Sequence, residues 1–190
     1  MLDDPRPLTT GLDGVVLRRL TPAHAKEFAA HVARDLDHLG AYLPWPARTA
    51  DAAGAEAWLG AYDERLEGRV VAAGAWHDEV LVGGGVLFAH DPAQAVVELG
   101  IWMTSGAAGR GVATAVCRAL LAHARRELEA ERVVWQSATG NVRSRRLAKK
   151  LGFVHEGTLR SNYVLRGERL DTDVLSLVDG EIDRALDEGQ

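Results

Sequence analysis

Cysteine is almost missing from this chain: Cys117 is the only one in 190 residues. An intrachain disulfide is therefore excluded, and so is a cysteine-based metal cage. Long apolar runs are missing too. The longest, Val80 to Ala89, is ten residues and includes three glycines, whereas a membrane-spanning helix needs about 20. There is no excess of positive charge. Lys+Arg number 22 against 27 Asp+Glu, a net charge of −5, which argues against a protein that wraps duplex nucleic acid with a broad basic surface. The opening residues, Met1 to Pro7, carry acids and prolines where a secretory signal needs positive charge and then an apolar stretch. The expectation is a cytoplasmic protein, monomer or homodimer, with no membrane or direct nucleic-acid partner.

What is present reads as one domain. Hydrophobic residues make up 47% and charged residues 26%, as in ordinary globular proteins, and the length suits a single unit with its core over residues 15–178. Val15–Leu20 reads as a strand. Thr21-Pro22 then supplies an N-cap and a proline at the first helical position. His38–Pro46 is a short aromatic segment stopped by prolines. Over Ala50–Glu67, the residues Ala55, Trp58, Leu59, Tyr62 and Leu66 form one helical stripe. Val70–Trp76 and Val80–Phe88 read as strands joined through His77-Asp78-Glu79, and Val96–Met103 as a third. A helix follows Gly111 and runs to about Leu128, then a strand over Val133–Ser137. A basic helix over Asn141–Leu151 ends at Gly152, and strands over Phe153–Leu159 and Asp171–Val178 close the series. The polar tail from Glu181 onward reads as a frayed helix. The predicted fold is α/β of the α+β kind, a mixed and mostly antiparallel sheet of about seven strands with helices on both faces.

Gly109-Arg110-Gly111 stands between a strand and a helix. A helix N-terminus presents unpaired N–H groups and partial positive charge, which favour phosphate, and glycine lets backbone approach closely. A ligand-free tight turn would use the same residues, and both readings stay open on the glycines alone. Two phosphate schemes fail here. A Walker A loop needs Lys-Ser/Thr where Val112-Ala113 stands. A dinucleotide fingerprint needs a third glycine where Thr114 stands, and an acid ending the next strand, which instead carries Gln136 and Ser137.

A third scheme fits. Gly109-Arg-Gly-Val-Ala-Thr114 after the Glu-Leu-Gly-Ile-Trp strand resembles the acyl-CoA pyrophosphate loop of the GNAT superfamily of N-acyltransferases. Asn141-Val-Arg-Ser144, Leu151-Gly-Phe153 and Glu156-Gly-Thr-Leu-Arg160 resemble its second cofactor segment. Leu39–Trp45 and Gly167–Asp173 are similar to the RimJ/RimL branch, whose members acetylate ribosomal-protein N-termini. The resemblance implies one GNAT-type domain that uses acetyl-CoA and no metal. The acceptor would be a primary amine, a protein N-terminus or a small molecule, attacking directly in a ternary complex. It implies cofactor contacts at Trp102, Met103, Gly109, Arg110, Gly111, Val112, Ala113, Thr114, Asn141 and Arg146. Two positions depart from the superfamily pattern. Ala108 stands where Gln or Arg is usual, and Ala148 where many relatives place a tyrosine as proton donor to the leaving thiolate.

The reaction needs a deprotonated amine, a stabiliser for the oxyanion and a route for protonating the thiolate. Glu98 is the candidate base, an acid within an apolar strand whose desolvation would raise its pKa; a salt-bridged strand-edge glutamate is the plainer alternative. Backbone N–H groups near Gly100–Met103 are the candidate oxyanion donors, with Gly100 marking an expected bulge. Ser144 is the candidate acid by resemblance, although Asn141 and Ser144 also suit an N-cap and a first helical turn. His38, Tyr42, Trp45 and Tyr163 are candidate walls of the acceptor site. His24, His31 and His38 lie two helical turns apart each, about 10 Å, too far for shared metal ligation. Cys117 falls in an apolar helical stripe and reads as core. Residues 110–150 hold ten basic and three acidic side chains, +7, which leaves −12 for the remainder; a basic stretch around the loop suits a polyanionic cofactor. The rival functions are an acyl-CoA-binding regulatory module without catalysis and a nicotinamide-dependent oxidoreductase.

Overall fold

The computed structural model describes residues 8–64 and 71–187. The two-residue strand β1 (Leu8–Thr9) and β2 (Val15–Arg19) lead into a 3-10 turn at Pro22–His24 and helix α1 (Ala25–Arg34). Helices α2 (Leu36–Gly40) and α3 (Ala52–Glu64) follow. Then come strands β3 (Val71–His77), β4 (Val80–Asp91) and β5 (Val96–Met103), helix α4 (Val112–Glu127), strand β6 (Arg132–Ala138) and helix α5 (Val142–Lys150). The last elements are β7 (Val154–Leu165), β8 (Glu168–Val178) and α6 (Gly180–Asp187). The fold class and the order of the expected elements agree with the sequence expectation, to which β1 and α2 are additions. The residues before Leu8, residues 65–67 of the helix expected over Ala50–Glu67 and Val70 of the expected strand lie outside the described residues.

One eight-stranded sheet runs in the order β1-β2-β3-β4-β5-β6-β8-β7. The β3–β4 hairpin turns on Asp78 and Glu79, both with positive φ, as a two-residue turn matched to strand twist requires. Every adjacent pair is antiparallel except β5 and β6. That one parallel pair is short. It joins Val96 to Arg132, Val97 to Val133 and Glu98 to Val134, and stops there.

Two apolar layers cover the two faces, because alternate residues of each strand face opposite ways. One layer sets α1, α2 and α3 against the sheet through Phe28, Val32, Leu39, Leu59, Trp76 and Trp102. The other sets α4, α5 and α6 against it through Leu99, Leu120, Leu121, Trp135, Leu175 and Ile182. Cys117 is fully buried in this second layer, as its stripe predicts. The sequence-level expectation of a bulge at Gly100 is corrected. The β4–β5 register runs unbroken from Glu98 to Met103, with its irregularity between Phe88 and Asp91 instead.

Candidate active site

The end of β5–β6 pairing makes the site. Past Glu98 the two strands part, and a cleft of about 320 Å³ opens between them. Its lining includes Glu98 to Trp102 from β5, Trp135 to Ala138 from β6, and Asn141 and Ser144 from the start of α5. The exposed backbone edge follows from the ladder. The Thr104 N–H donates to Val82 O on the β4 side. Alternation then turns Gly100 and Trp102 toward β4 and turns Ile101 and Met103 toward the cleft, while the Leu99 N–H is taken by Val134 in the last β5–β6 pair. Trp102 therefore meets the site through its ring, since its backbone groups belong to the β4 ladder. The edge from Glu98 to Met103 is about 17 Å long at the usual strand rise.

Glu98 sits at the root of the gap. It is partly buried, and its carboxylate accepts a hydrogen bond from Gln136 Nε2 at 3.0 Å. Burial pushes its pKa up, and the Gln136 donor opposes that. Gln136 carried no role in the sequence reading. The parallel register sets residue 136 two positions past the last β5–β6 pair, on the side-chain face of Val134.

The edge continues through a 3-10 turn (Ser105–Ala107) to Gly109-Arg110-Gly111. Gly109 and Gly111 have φ of +75° and +79°, a region that costs a side chain about 1–2 kcal/mol. Gly111 is the N-cap of α4, and the first-turn N–H groups of Val112, Ala113 and Thr114 have no carbonyl one turn back. Arg110 is exposed there. Lys150 at the end of α5 donates to Thr114 Oγ1 at 3.4 Å, which brings a cation to this turn. Arg146 is exposed on α5, whereas Arg145 turns inward, 2.7 Å from buried Asp173 and bonded to Thr139 O.

Asn141 caps α5 through Oδ1, which accepts from Ser144 N at 3.2 Å. Ser144 Oγ accepts from the Trp135 indole N–H at 2.9 Å, so its own proton is free to donate elsewhere. Ala148, one turn further, is fully buried and closes that position to any donor.

Aromatic residues close the other side. Trp45 lies tilted against Trp58 at 5.0 Å between ring centroids and meets Trp102 edge-on at 5.7 Å. The Trp102 ring lies where a side chain on Gly84 would collide, 2.3 Å from the position its Cβ would take. Tyr42 Oη donates to Gly140 O at 2.8 Å, and Tyr163 Oη donates to Tyr42 O at 3.2 Å. These bonds tie the segment after α2, the turn before α5 and β7 together over the cleft.

Of the expected acceptor walls, Tyr42, Trp45 and Tyr163 line the cleft, and so do Trp58 and Phe88, which the sequence reading left in the core or unassigned. His38 does not line it; it lies on α2 outside the cleft. The three spaced histidines also separate by role. His24 Nδ1 accepts from Thr21 N, while His31 is buried with Nδ1 bonded to Leu81 O.

Unpaired N–H groups along a strand edge, leading to an N–H cradle at a helix start, suit a ligand with a pyrophosphate at one end and an amide-bearing arm at the other. The family model described as acetyltransferase (GNAT) domain matches residues 15–154. The chain belongs to the GNAT acetyltransferase family. It is an N-acetyltransferase, and acetyl-CoA is its co-substrate. The chain is similar to "Putative ribosomal N-acetyltransferase YdaF" of Bacillus subtilis (strain 168), at 31% identity over 172 residues, 88% of this chain and 92% of that protein. Among solved structures it superposes on RimL, the ribosomal L7/L12 alpha-N-protein acetyltransferase, in complex with coenzyme A. The TM-score is 0.84 at 18% identity, covering 93% of this chain and 99% of that one. Mycobacterium smegmatis RimJ in complex with CoA-disulfide gives a TM-score of 0.79 at 22% identity, covering 97% and 93%.

Proposed function

We propose that this GNAT enzyme acetylates a protein N-terminal amine by direct attack in a ternary complex, within the β5–β6 cleft. The observation that carries the reading is the gap past Glu98 and Val134, which puts one raised-pKa carboxylate beside a row of unpaired backbone N–H groups. RimL is described as a ribosomal L7/L12 alpha-N-protein acetyltransferase and YdaF as a "Putative ribosomal N-acetyltransferase", and that is the support for a protein N-terminus over a small amine.

When bound, acetyl-CoA supplies an electrophilic thioester carbonyl. Gly109 to Thr114 would hold its pyrophosphate with backbone N–H groups, with Arg110 and Lys150 adding charge at the rim and Arg146 on the flanking helix. The N–H groups of Ile101 and Met103 would hold the arm and stabilise negative charge developing on the carbonyl oxygen. Glu98, directly or through a water, takes the proton of the incoming ammonium, so that the free amine forms the C–N bond. As the C–S bond breaks, the Ser144 hydroxyl gives its proton to the thiolate. Once the C–N bond has formed, the nitrogen gives up a second proton, which restores the serine hydroxyl, and the proton first taken by Glu98 passes to solvent, so amide, thiol and one released proton are the net products.

The test is thiol release from acetyl-CoA against peptides that differ at the first residue, with the same peptides N-terminally blocked. Release with free and not with blocked peptides is the expected result. CoA binding without any amine-dependent release would replace this reading with a binding module.

A further inference from the structure

The acceptor side of the cleft has an uneven chemical makeup. Among the described residues lining it, Glu98 is the only one with an ionisable charge, and none is basic. On β5, Glu98, Gly100 and Trp102 share one face. The wall beyond Glu98 on that face is the aromatic group of Trp45, Trp58, Phe88 and Trp102. Gly100 lies between the carboxylate and the rings. A Cβ there would meet Phe88 Cε1 at 3.2 Å and otherwise only Val86 O at 4.0 Å, and its φ is not in the left-handed region. Position 100 therefore carries no backbone strain, but any side chain there would press on the edge of the Phe88 ring and fill the floor between Glu98 and the aromatic wall.

We propose, resting on the transferase reading above, that this pocket selects a primary amine whose neighbouring carbon carries an apolar side group and no carboxylate, with Gly100 setting the size of that group. The physical argument has three parts. An amine placed at Glu98 sets its substituent over Gly100 and against the tryptophans, where apolar area is removed from water. A carboxylate on the same carbon would enter a partly desolvated site with no cation to pair it, next to Glu98 of like charge. A polyamine would bring several ammonium groups to a site with one carboxylate. An amidated or peptide-linked residue meets the first condition and avoids the other two.

The experiment measures thiol release from acetyl-CoA with leucinamide, glycinamide, leucine and spermidine, for the wild type, G100A and G100V. For the wild type, leucinamide should exceed glycinamide and leucine in kcat/KM by about tenfold or more, the discrimination expected from a few methylenes or an unpaired polar group. In G100V the leucinamide-to-glycinamide ratio should fall by about tenfold, and in G100A by less. CoA affinity and thermal melting report that each variant is folded, and G100A stands in if G100V does not fold. Leucine or spermidine outpacing leucinamide overturns the inference, as do equal rates with leucinamide and glycinamide or an unchanged ratio in the folded variants. A wild type that binds CoA but releases no thiol with any amine overturns the transferase reading itself.

Discussion

At the level of single residues, Glu98 sets the pH behaviour. Its pKa is raised by burial and partly restored by Gln136, and a base works only when ionised. Activity should therefore fall on the acid side through a pK above the ordinary carboxylate range. E98Q should lower kcat/KM by about 100-fold or more, the usual worth of a general base, and should flatten that limb. Q136L removes the opposing hydrogen bond, so the limb should move to higher pH. A pH–rate profile of the three proteins checks this. The same shift has a stability consequence. A carboxyl whose folded pKa is raised costs stability wherever it is ionised in the unfolded chain, and the loss is relieved as pH falls through the folded pKa. E98Q should thus melt above the wild type at pH 7 to 8, and the difference should vanish near pH 4, where both states are protonated. A lower melting point for E98Q at neutral pH would contradict this. Glu98 itself was legible from sequence because an acid inside an apolar strand is conspicuous. Gln136 was not, because its role depends on which strand lies alongside β5, a fact no local pattern carries.

At the level of elements, helix starts hold the site. Asn141 caps α5 and also lines the cleft, so capping and ligand contact can be separated by substitution. N141A should lose about 1 kcal/mol, the worth of a cap. N141S should recover the melting temperature because serine caps equally well, while the KM for acetyl-CoA stays raised. Recovery of both by serine would assign Asn141 to capping alone. G111A places a side chain at φ +79° and should cost about 1–2 kcal/mol. That corresponds to about 2–8 °C in a chain of this size, together with weaker CoA binding measured by calorimetry. The glycine turn was readable because a strand, a glycine pair and a helix in succession have few uses. Gly100 was misread as a bulge because glycine in a strand marks either a bulge or a close approach, and only the cross-strand register separates them. His38 was placed at the site because it adjoins the aromatic segment, but α2 ends before the chain turns into the cleft.

At the scale of the whole molecule, the sequence's charge split is real in number and redistributed in space. Arg125 pairs with Asp179 and Asp183, Arg132 with Glu156, and Arg145 with Asp173. Three cations of the basic stretch are thus met by acids from the last quarter of the chain, while Arg110 and Lys150 remain at the cradle. Sequence composition shows the sum of such charges and not their partners, which come from strand order. The pairs have an acid signature. Hydrogen bonds from Arg132 and Ser176 hold the Glu156 carboxyl down to about 2, and Thr158, followed by Arg145 and His155, lowers Asp173. Depressed folded pKa values give stability that is present above the unfolded carboxylate range, about 4, and is lost as pH falls toward 2. Melting temperature should decline through that window, and E156Q should make the decline shallower. An identical slope in E156Q would remove Glu156 from this account.

Strand β8, near the end of the described chain, is an interior strand of the sheet, between β6 and β7. During synthesis, β5, β6 and the glycine turn leave the ribosome well before it does. Until β8 arrives, β6 has no antiparallel neighbour, and Tyr163 on β7 has no strand to hold it over Tyr42. The cleft is therefore among the last features to be completed, and a nascent chain carries the parts of an acetyltransferase before it can act as one.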